Sequence, residues 1–272
     1  MWKKYSLLPN QNSVEDCFFR IRYIFENITP VLSKKSIIYS FALLVLGALS
    51  ARGQKEIISE NQDLLWTRYH LTTHFSDRWK WVNEADNRVF LSSFHRAQFI
   101  THSHVHRTLG KNTEVALGFT YSNVNPPEPF ETNPKSTSEY RPFQEFYFKQ
   151  AMNDNRVKIQ HRFRTEERFF NPANGVTNFN WRFRYQLALS YSINRVIEAK
   201  ANEEIFINAG KNIIYNTFDA SRFYGALAFK IGKPLTFEAG YLRSVQQLST
   251  GNQFLKRDNI RLTLFHQIGP NS

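Results

Sequence analysis

Cysteine is almost absent from this chain of 272 residues, because Cys17 is the only one. A single thiol excludes an internal disulfide and any metal site that needs several cysteines. Long apolar segments are also missing, since the longest one, residues 37–49, is shorter than the roughly 20 residues of a transmembrane helix. Together with a mean hydropathy of −0.47, this excludes a protein that crosses a membrane with several helices.

The apolar run 37–49 has the layout of a secretory signal peptide. Two lysines precede the run, and small residues occupy the third and first positions before Gln54. A basic segment, an apolar segment and small residues at the cleavage site are the three parts of such a signal. We therefore predict that residues 1–53 comprise an N-terminal extension plus the signal peptide, and that residues 54–272 form the mature domain. A single N-terminal membrane anchor is the alternative.

Residues 178–193, NFNWRFRYQLALSYSI, alternate between large apolar side chains and polar or small ones. Trp181 and Tyr185 fall on one face of this run, and Arg182 and Arg184 fall on the other. A period of two indicates a β-strand with one apolar face and one polar face. The run exceeds the about 9–11 residues with which a strand crosses a membrane. It fits a transmembrane β-barrel with aromatic side chains toward lipid and arginines toward the lumen.

Similar alternation recurs through residues 54–272, and short turns alternate with longer connections, as in outer-membrane barrels. The predicted fold class is therefore all-β, a single antiparallel transmembrane β-barrel of about 10–12 strands. Twelve is favoured over the eleven segments found, because bacterial single-chain barrels have even strand numbers and a further strand could lie within 56–65. The predicted strands cover residues 64–75, 78–90, 94–108, 112–123, 140–151, 155–170, 178–193, 195–209, 217–231, 234–248 and 255–268.

The charged residues that alternate with apolar ones in the clearest of these strands are expected to face the lumen, because each charge on the lipid face would cost about 2–4 kcal/mol at mid-membrane. Two interpretations of such a lumen remain open. An Arg–Glu network could hold the barrel closed, or an excess of arginine could form a narrow, porin-like channel for small anionic solutes. The predicted lumen-lining residues are Arg162, Arg164, Glu166, Arg168, Arg182, Arg184, Glu204 and Arg222.

Three histidines, His102, His104 and His106, alternate and therefore share one strand face. A His-x-His pair on a strand can chelate zinc, but a third ligand is not evident from the sequence. The three histidines are thus weak metal candidates, and we predict neither a metal nor a cofactor.

Two further classes of function remain as alternatives. A lipid-modifying barrel enzyme, a hydrolase or an acyltransferase, needs a serine activated by histidine. Ser103 adjoins His102 and His104, and Ser92 and Ser93 lie near His95, but neighbours in a strand point to opposite faces and no nucleophile motif is present. The other class is a surface barrel that makes contacts through the proline-rich loop 125–138. The sequence therefore favours a protein that is not an enzyme.

The chain resembles a domain-of-unknown-function family of outer-membrane β-barrel proteins from Gram-negative bacteria. The resemblance is carried by Trp66 and by five short runs, namely HRFRTEERF, WRFRYQL, NEEIF, FDASRFYG and EAGY. The resemblance covers residues 66–268. It implies a barrel in the bacterial outer membrane, and it implies no activity.

The formal net charge is +12, yet the arginines alternate within strands and do not form basic runs, so nucleic acid is not an expected partner. The expected partners are outer-membrane lipid, the barrel-assembly machinery and small anionic solutes.

Overall fold

The computed structural model describes residues 57–153, 156–171 and 178–269. The predicted N-terminal extension and signal peptide, residues 1–53, lie outside the described residues, so the division into these two parts stays a prediction. None of the described residues belongs to a helix long and apolar enough to span a membrane.

In the described part of the chain, eleven strands form one closed barrel, which confirms the predicted all-β fold. The predicted bounds lie within three residues of the observed ones except at the start of the first strand. The strands are β1 (Ile58–His74), β2 (Trp79–Phe90), β3 (Arg96–Thr108), β4 (Thr113–Val124), β5 (Thr137–Met152), β6 (Val157–Asn171), β7 (Asn178–Ser192), β8 (Ile197–Ala209), β9 (Phe218–Lys230), β10 (Leu235–Gln247) and β11 (Gln253–Ile268).

The favoured count of twelve strands is wrong, because the barrel closes with an odd number. Sequential neighbours pair antiparallel, but β1 and β11 pair in parallel, from Ile58 opposite Gln253 to Thr73 opposite Ile268. Among the described residues 57–65 there is no extra strand, since those from Ile58 onward belong to β1, which is 17 residues long. Parallel pairing over this length satisfies the backbone groups of both edges, and a closed barrel has no exposed edge.

The connections have different lengths at the two ends of the barrel. Five connections of four residues each, beginning with 75–78 between β1 and β2, define the turn end. The other five, of five to twelve residues, define the loop end, and the longest joins β4 to β5 at 125–136. At the turn end, the side chain of Asn194 accepts hydrogen bonds from the backbone N–H groups of Val196 and Ile197, each at 2.8 Å. This local bonding favours a tight turn.

The barrel is apolar outside and polar inside. The outward residues of β7, from Phe179 to Tyr191, are all large and apolar, and all are exposed. Apolar packing in the interior is limited to small groups such as Trp66, Tyr224 and Leu242. Most of the interior is instead filled by buried carboxylates, guanidiniums and amides, so the chemically reactive and charged groups of the barrel face the lumen.

Candidate functional site

A cavity of about 640 Å³ follows the inside of the barrel. Side chains from all eleven strands line it. The lining begins at Lys80 and Glu114, near the turn end, and reaches Gln246 and Arg257, near the loop end. The cavity therefore runs along most of the length of the barrel wall.

The structure places all eight residues of the predicted lumen set on the inner wall. Seven of them line the cavity, and the eighth, Glu166, is fully buried beneath the arginines around it. Pairing of β6 with β7 sets Glu166 opposite Arg182, and it sets two cations, Arg164 and Arg184, opposite each other in the next inward row.

Glu166 is the centre of an ion-pair network on the β6–β8 wall. Its carboxylate contacts Arg182, the Nε of Arg164 at 2.8 Å and the Nη1 of Arg184 at 2.7 Å. Glu204 continues the network, since its Oε1 lies 2.7 Å from both Arg162 Nη2 and Arg184 Nη2. Each buried charge thus has a partner of opposite sign, as buried ions require. We call these residues the Glu166 network.

Sequence reasoning missed the carboxylates that extend this network. Asp219 lies 3.0 Å from Arg182, Glu145 lies 3.4 Å from Arg164, and Glu139 pairs with Arg141 and Arg168. Glu139 and Glu145 face inward on β5, where aromatic side chains occupy both faces and blur the alternation. Counting alternate charged positions on β5 would have found them.

Two smaller groups of ion pairs lie elsewhere on the wall. Arg68 binds Asp86 through two hydrogen bonds, of 2.6 and 2.7 Å, and contacts Glu84 at 2.9 Å. On β10, which β11 separates from β1, Glu238 accepts from Lys200 at 2.8 Å and from Arg261 at 3.3 Å.

Cations outnumber anions along the lumen. Of the residues that the structure describes, fourteen arginines and lysines and five glutamates line the cavity. Among the described residues, four further carboxylates are buried behind this lining, namely Asp86, Glu145, Glu166 and Asp219. Nine carboxylates therefore face fourteen cations, so the lumen keeps an excess of positive charge.

The excess is concentrated around Trp66. The Cζ atoms of Arg88, Arg261 and Arg222 lie 3.5, 5.5 and 5.9 Å from its ring centroid. Within the described part of the chain, Arg222 makes no ion pair or hydrogen bond, and Arg257 bonds only to the amides of Gln62 and Gln246. Arg88 bonds to the amide of Gln98 at 2.6 Å, and its contact with Asp86 is 3.7 Å long. We call Trp66, Arg88, Arg222, Arg257 and Arg261 the arginine–tryptophan cluster.

The arginine–tryptophan cluster also holds donors without acceptors. The indole Nε1 of Trp66 and the Nε atoms of Arg88 and Arg261 are buried and have no hydrogen-bond partner among the described residues. A buried donor without an acceptor costs about 1–3 kcal/mol. A solute or water that brings acceptor atoms to this point would remove that cost. Of the residues in the arginine–tryptophan cluster, only Arg222 was among the eight predicted lumen-lining residues.

The structure places Ser103 and the three histidines of β3 on opposite faces of the strand. His102 bonds to Thr120 Oγ1 at 2.7 Å, whereas His104 and His106 contact each other at 2.8 Å. Ser103 faces outward and accepts a hydrogen bond from Trp81 Nε1 at 2.9 Å. Because Ser103 and its neighbouring histidines lie on opposite faces of β3, they do not form a nucleophile–base pair.

Fold and lumen together define a closed β-barrel protein with a positively charged interior. The chain belongs to the family described as protein of unknown function (DUF2490), which matches residues 64–255. This match confirms the resemblance to a family without a known activity.

Among solved structures, the chain is similar to the NanC porin at 12% identity and a TM-score of 0.49, over 75% of this chain and 98% of that chain. A likeness this distant carries no functional inference. No protein with a curated description matches the sequence.

Proposed function

We propose that this protein is a bacterial outer-membrane β-barrel whose lumen binds and passes small anionic solutes. The observation that carries the proposal is the arginine–tryptophan cluster, where guanidinium charges face the cavity without enough carboxylates to neutralise them. At this cluster, the proposed solute-binding residues are Arg222 and the neighbouring arginines of β2 and β11.

The outer wall supports a membrane location. Outward aromatic and aliphatic side chains continue from β7 onto its neighbours, through Phe163 on β6 and Ile205 on β8. Exposed apolar surfaces of this extent mark interaction with lipid or with another protein. An apolar exterior around a polar lumen is the arrangement of outer-membrane barrels, and the predicted signal peptide provides the export that this location requires.

The distribution of charge supports a preference for anions. Rings of arginine or lysine favour anions in pores, and a low-dielectric wall focuses the field of unpaired charges. The Glu166 network adds little to this field, because its arginines are paired at short distances. The arginine–tryptophan cluster retains its charge, so the anion preference is assigned to it.

A closed structural barrel is the second candidate, and the Glu166 network is the observation that favours it. Side chains of β6, β7 and β8 are linked across the wall by buried ion pairs, which restrict their movement. In that case the protein would insert into membranes and conduct no ions.

Conductance of the purified protein in planar bilayers, with a salt gradient across the membrane, tests the proposal. We expect discrete conductance steps and a reversal potential of anion-selective sign. Arg222→Gln should shift the reversal potential toward zero, because it removes an unpaired lumen charge. Arg243→Gln is the matched control, since Arg243 lies on the outer wall beside Asp258. Cation selectivity, or an inserted and silent protein, would reject the channel.

A further inference from the structure

The inner wall near the turn end holds a compact group of buried ligand atoms, formed by His104, His106 and Glu145. The two histidines are two residues apart on β3, so they point to the same face. Glu145 lies on β5, which β4 separates from β3. His106 pairs with Ala116 and Ala116 pairs with Glu145, so a single methyl group stands between the imidazole and the carboxylate.

A glycine in the next row gives the second imidazole its position. His104 lies opposite Gly118, and Gly118 lies opposite Phe143. A methyl group at Gly118 would collide with His104 Cβ and with the ring of Phe143. The small inward residues of β4 therefore allow side chains of β3 and β5 to meet across it.

The distances within the group suit a metal ion. His104 Nδ1 lies 2.8 Å from His106 Nε2 and 3.6 Å from Glu145 Oε2. One ligand atom from each of the three residues falls within 4.8 Å of the others, and all three residues are buried. Two nitrogens bound to one tetrahedral zinc ion lie about 3.3 Å apart. Small shifts of the side chains would therefore complete the coordination.

An outer carboxylate orients the imidazole of His106 in the way that metal sites require. His106 Nδ1 lies 2.6 Å from Glu114 Oε1, and because a carboxylate can only accept, the proton sits on Nδ1 and the Nε2 lone pair points inward. Tyr147 donates to Glu145 Oε2 at 2.8 Å. Histidine ligands usually donate their other N–H to a carboxylate, and ligating carboxylates are themselves hydrogen-bonded.

The proton on neutral His104 has no satisfactory place without a cation. If it sits on Nε2, near Glu84 at 3.6 Å, two bare nitrogens face each other at 2.8 Å. If it sits on Nδ1, the bare Nε2 faces the Glu84 carboxylate. This Nε2 is buried and has no hydrogen-bond partner among the described residues. A cation between His104 Nδ1 and His106 Nε2 resolves the conflict.

We propose that His104, His106 and Glu145 bind a divalent transition-metal ion such as Zn²⁺. The ligands are His104 Nδ1, His106 Nε2 and Glu145 Oε2, and a water from the lumen takes the fourth position. Two imidazoles and one carboxylate form a ligand set that zinc accepts at sites with an open position. His102 is excluded, because it bonds to Thr120 one row further along the strand.

Neighbouring cations leave the ligand atoms available. Arg162 and Arg164 approach the other oxygen of Glu145, Oε1, at 3.6 and 3.4 Å. Lys80 and Lys149 pair with Glu114, which is an outer partner of the site and not a ligand. Both pairs neutralise outer charge and keep Glu145 Oε2 and the two inner nitrogens directed at one point.

Titration of Zn²⁺ into the purified full chain tests the site, after chelator treatment and without a histidine tag. We expect one ion per chain, and His104→Ala and His106→Ala should each abolish this binding. His102→Ala, on the same strand face, and His161→Ala, on the outer wall, should bind as the unchanged protein does. Circular dichroism of each variant shows that the barrel is folded.

Two further measurements distinguish a metal site from a protonated histidine pair. Glu114→Gln, which keeps the ligands, should weaken Zn²⁺ binding by about 10–100-fold. Co²⁺ in place of Zn²⁺ should give the intense visible absorption of a tetrahedral site, and His104→Ala should remove it. Absence of Zn²⁺ binding would indicate the protonated pair only and would overturn the proposal. Equal loss of binding in His102→Ala would overturn the assignment of ligands.

Discussion

Replacing Glu166 with glutamine should strongly destabilise the barrel. The side chain is fully buried, and three guanidiniums, from Arg164, Arg182 and Arg184, converge on its two oxygens. Glutamine has nearly the same shape but no charge, so the change isolates electrostatics from packing. Removing one partner of a buried ion pair costs about 3–5 kcal/mol, because the remaining charges stay buried without compensation. Glu204 still accepts from Arg184, which places our expectation near the lower value, about 3 kcal/mol.

Denaturant unfolding of the detergent-solubilised protein measures this loss as a change in the free energy of unfolding. Glu167→Gln is the matched control, because Glu167 is the next residue along β6 and faces outward, and we expect it to change stability by no more than about 0.5 kcal/mol. A double variant, Glu166→Gln with Arg182→Gln, should lose less than the sum of the single variants, since it removes a guanidinium that lacks a partner. Equal stability of Glu166→Gln and Glu167→Gln would refute the reasoning and would mean that water screens the network.

Three further sets of substitutions test the packing around β4, the positive charge of the lumen and the closure of β1 on β11. Gly118→Ala should cost about 1–3 kcal/mol in denaturant unfolding through overpacking, whereas Gly225→Ala should cost less, because its added methyl group has open space; similar losses would contradict the packing. Gln98→Glu should lower anion selectivity in bilayer recordings, since it adds a carboxylate beside a guanidinium of β2; an unchanged reversal potential would count against the charge assignment. Thr67→Cys with Leu262→Cys should form a disulfide that gel mobility detects, because the two residues are partners in the parallel β1–β11 pair; free thiols would argue against eleven-stranded closure.

Periodicity alone predicts most of this fold. On β7, apolar and polar positions alternate for 15 residues, so both the strand and its two faces can be read from the sequence. The closure of β1 on β11 cannot be read in this way, because no local pattern encodes which two edges meet or in which direction. The expectation of an even strand number therefore failed, although the eleven segments themselves were found.

Contacts across strands limit what the sequence shows of the site. The alternating arginines of β6 and β7 can be assigned to one face without knowing the register. Glu145, which supplies the third ligand atom beside His104 and His106, lies on another strand, and only the pairing of β3, β4 and β5 brings it there. The register also decides that His102, an equal candidate by spacing, bonds to Thr120 instead.

The guanidinium groups in the lumen have two kinds of hydrogen-bond acceptor, carboxylates and amides. On the β6–β8 wall, carboxylates such as Glu166 both satisfy the guanidinium N–H groups and cancel their charge, which stabilises the wall. In the arginine–tryptophan cluster, the hydrogen-bond acceptors of Arg88 and Arg257 are the amides of Gln62, Gln98 and Gln246, whereas Arg261 bonds to the carboxylate of Glu238. An amide oxygen satisfies an N–H group but leaves the positive charge in place. The cluster therefore holds Arg88 and Arg257 in position without cancelling their charge, and the proposed binding of anionic solutes depends on this remaining positive charge.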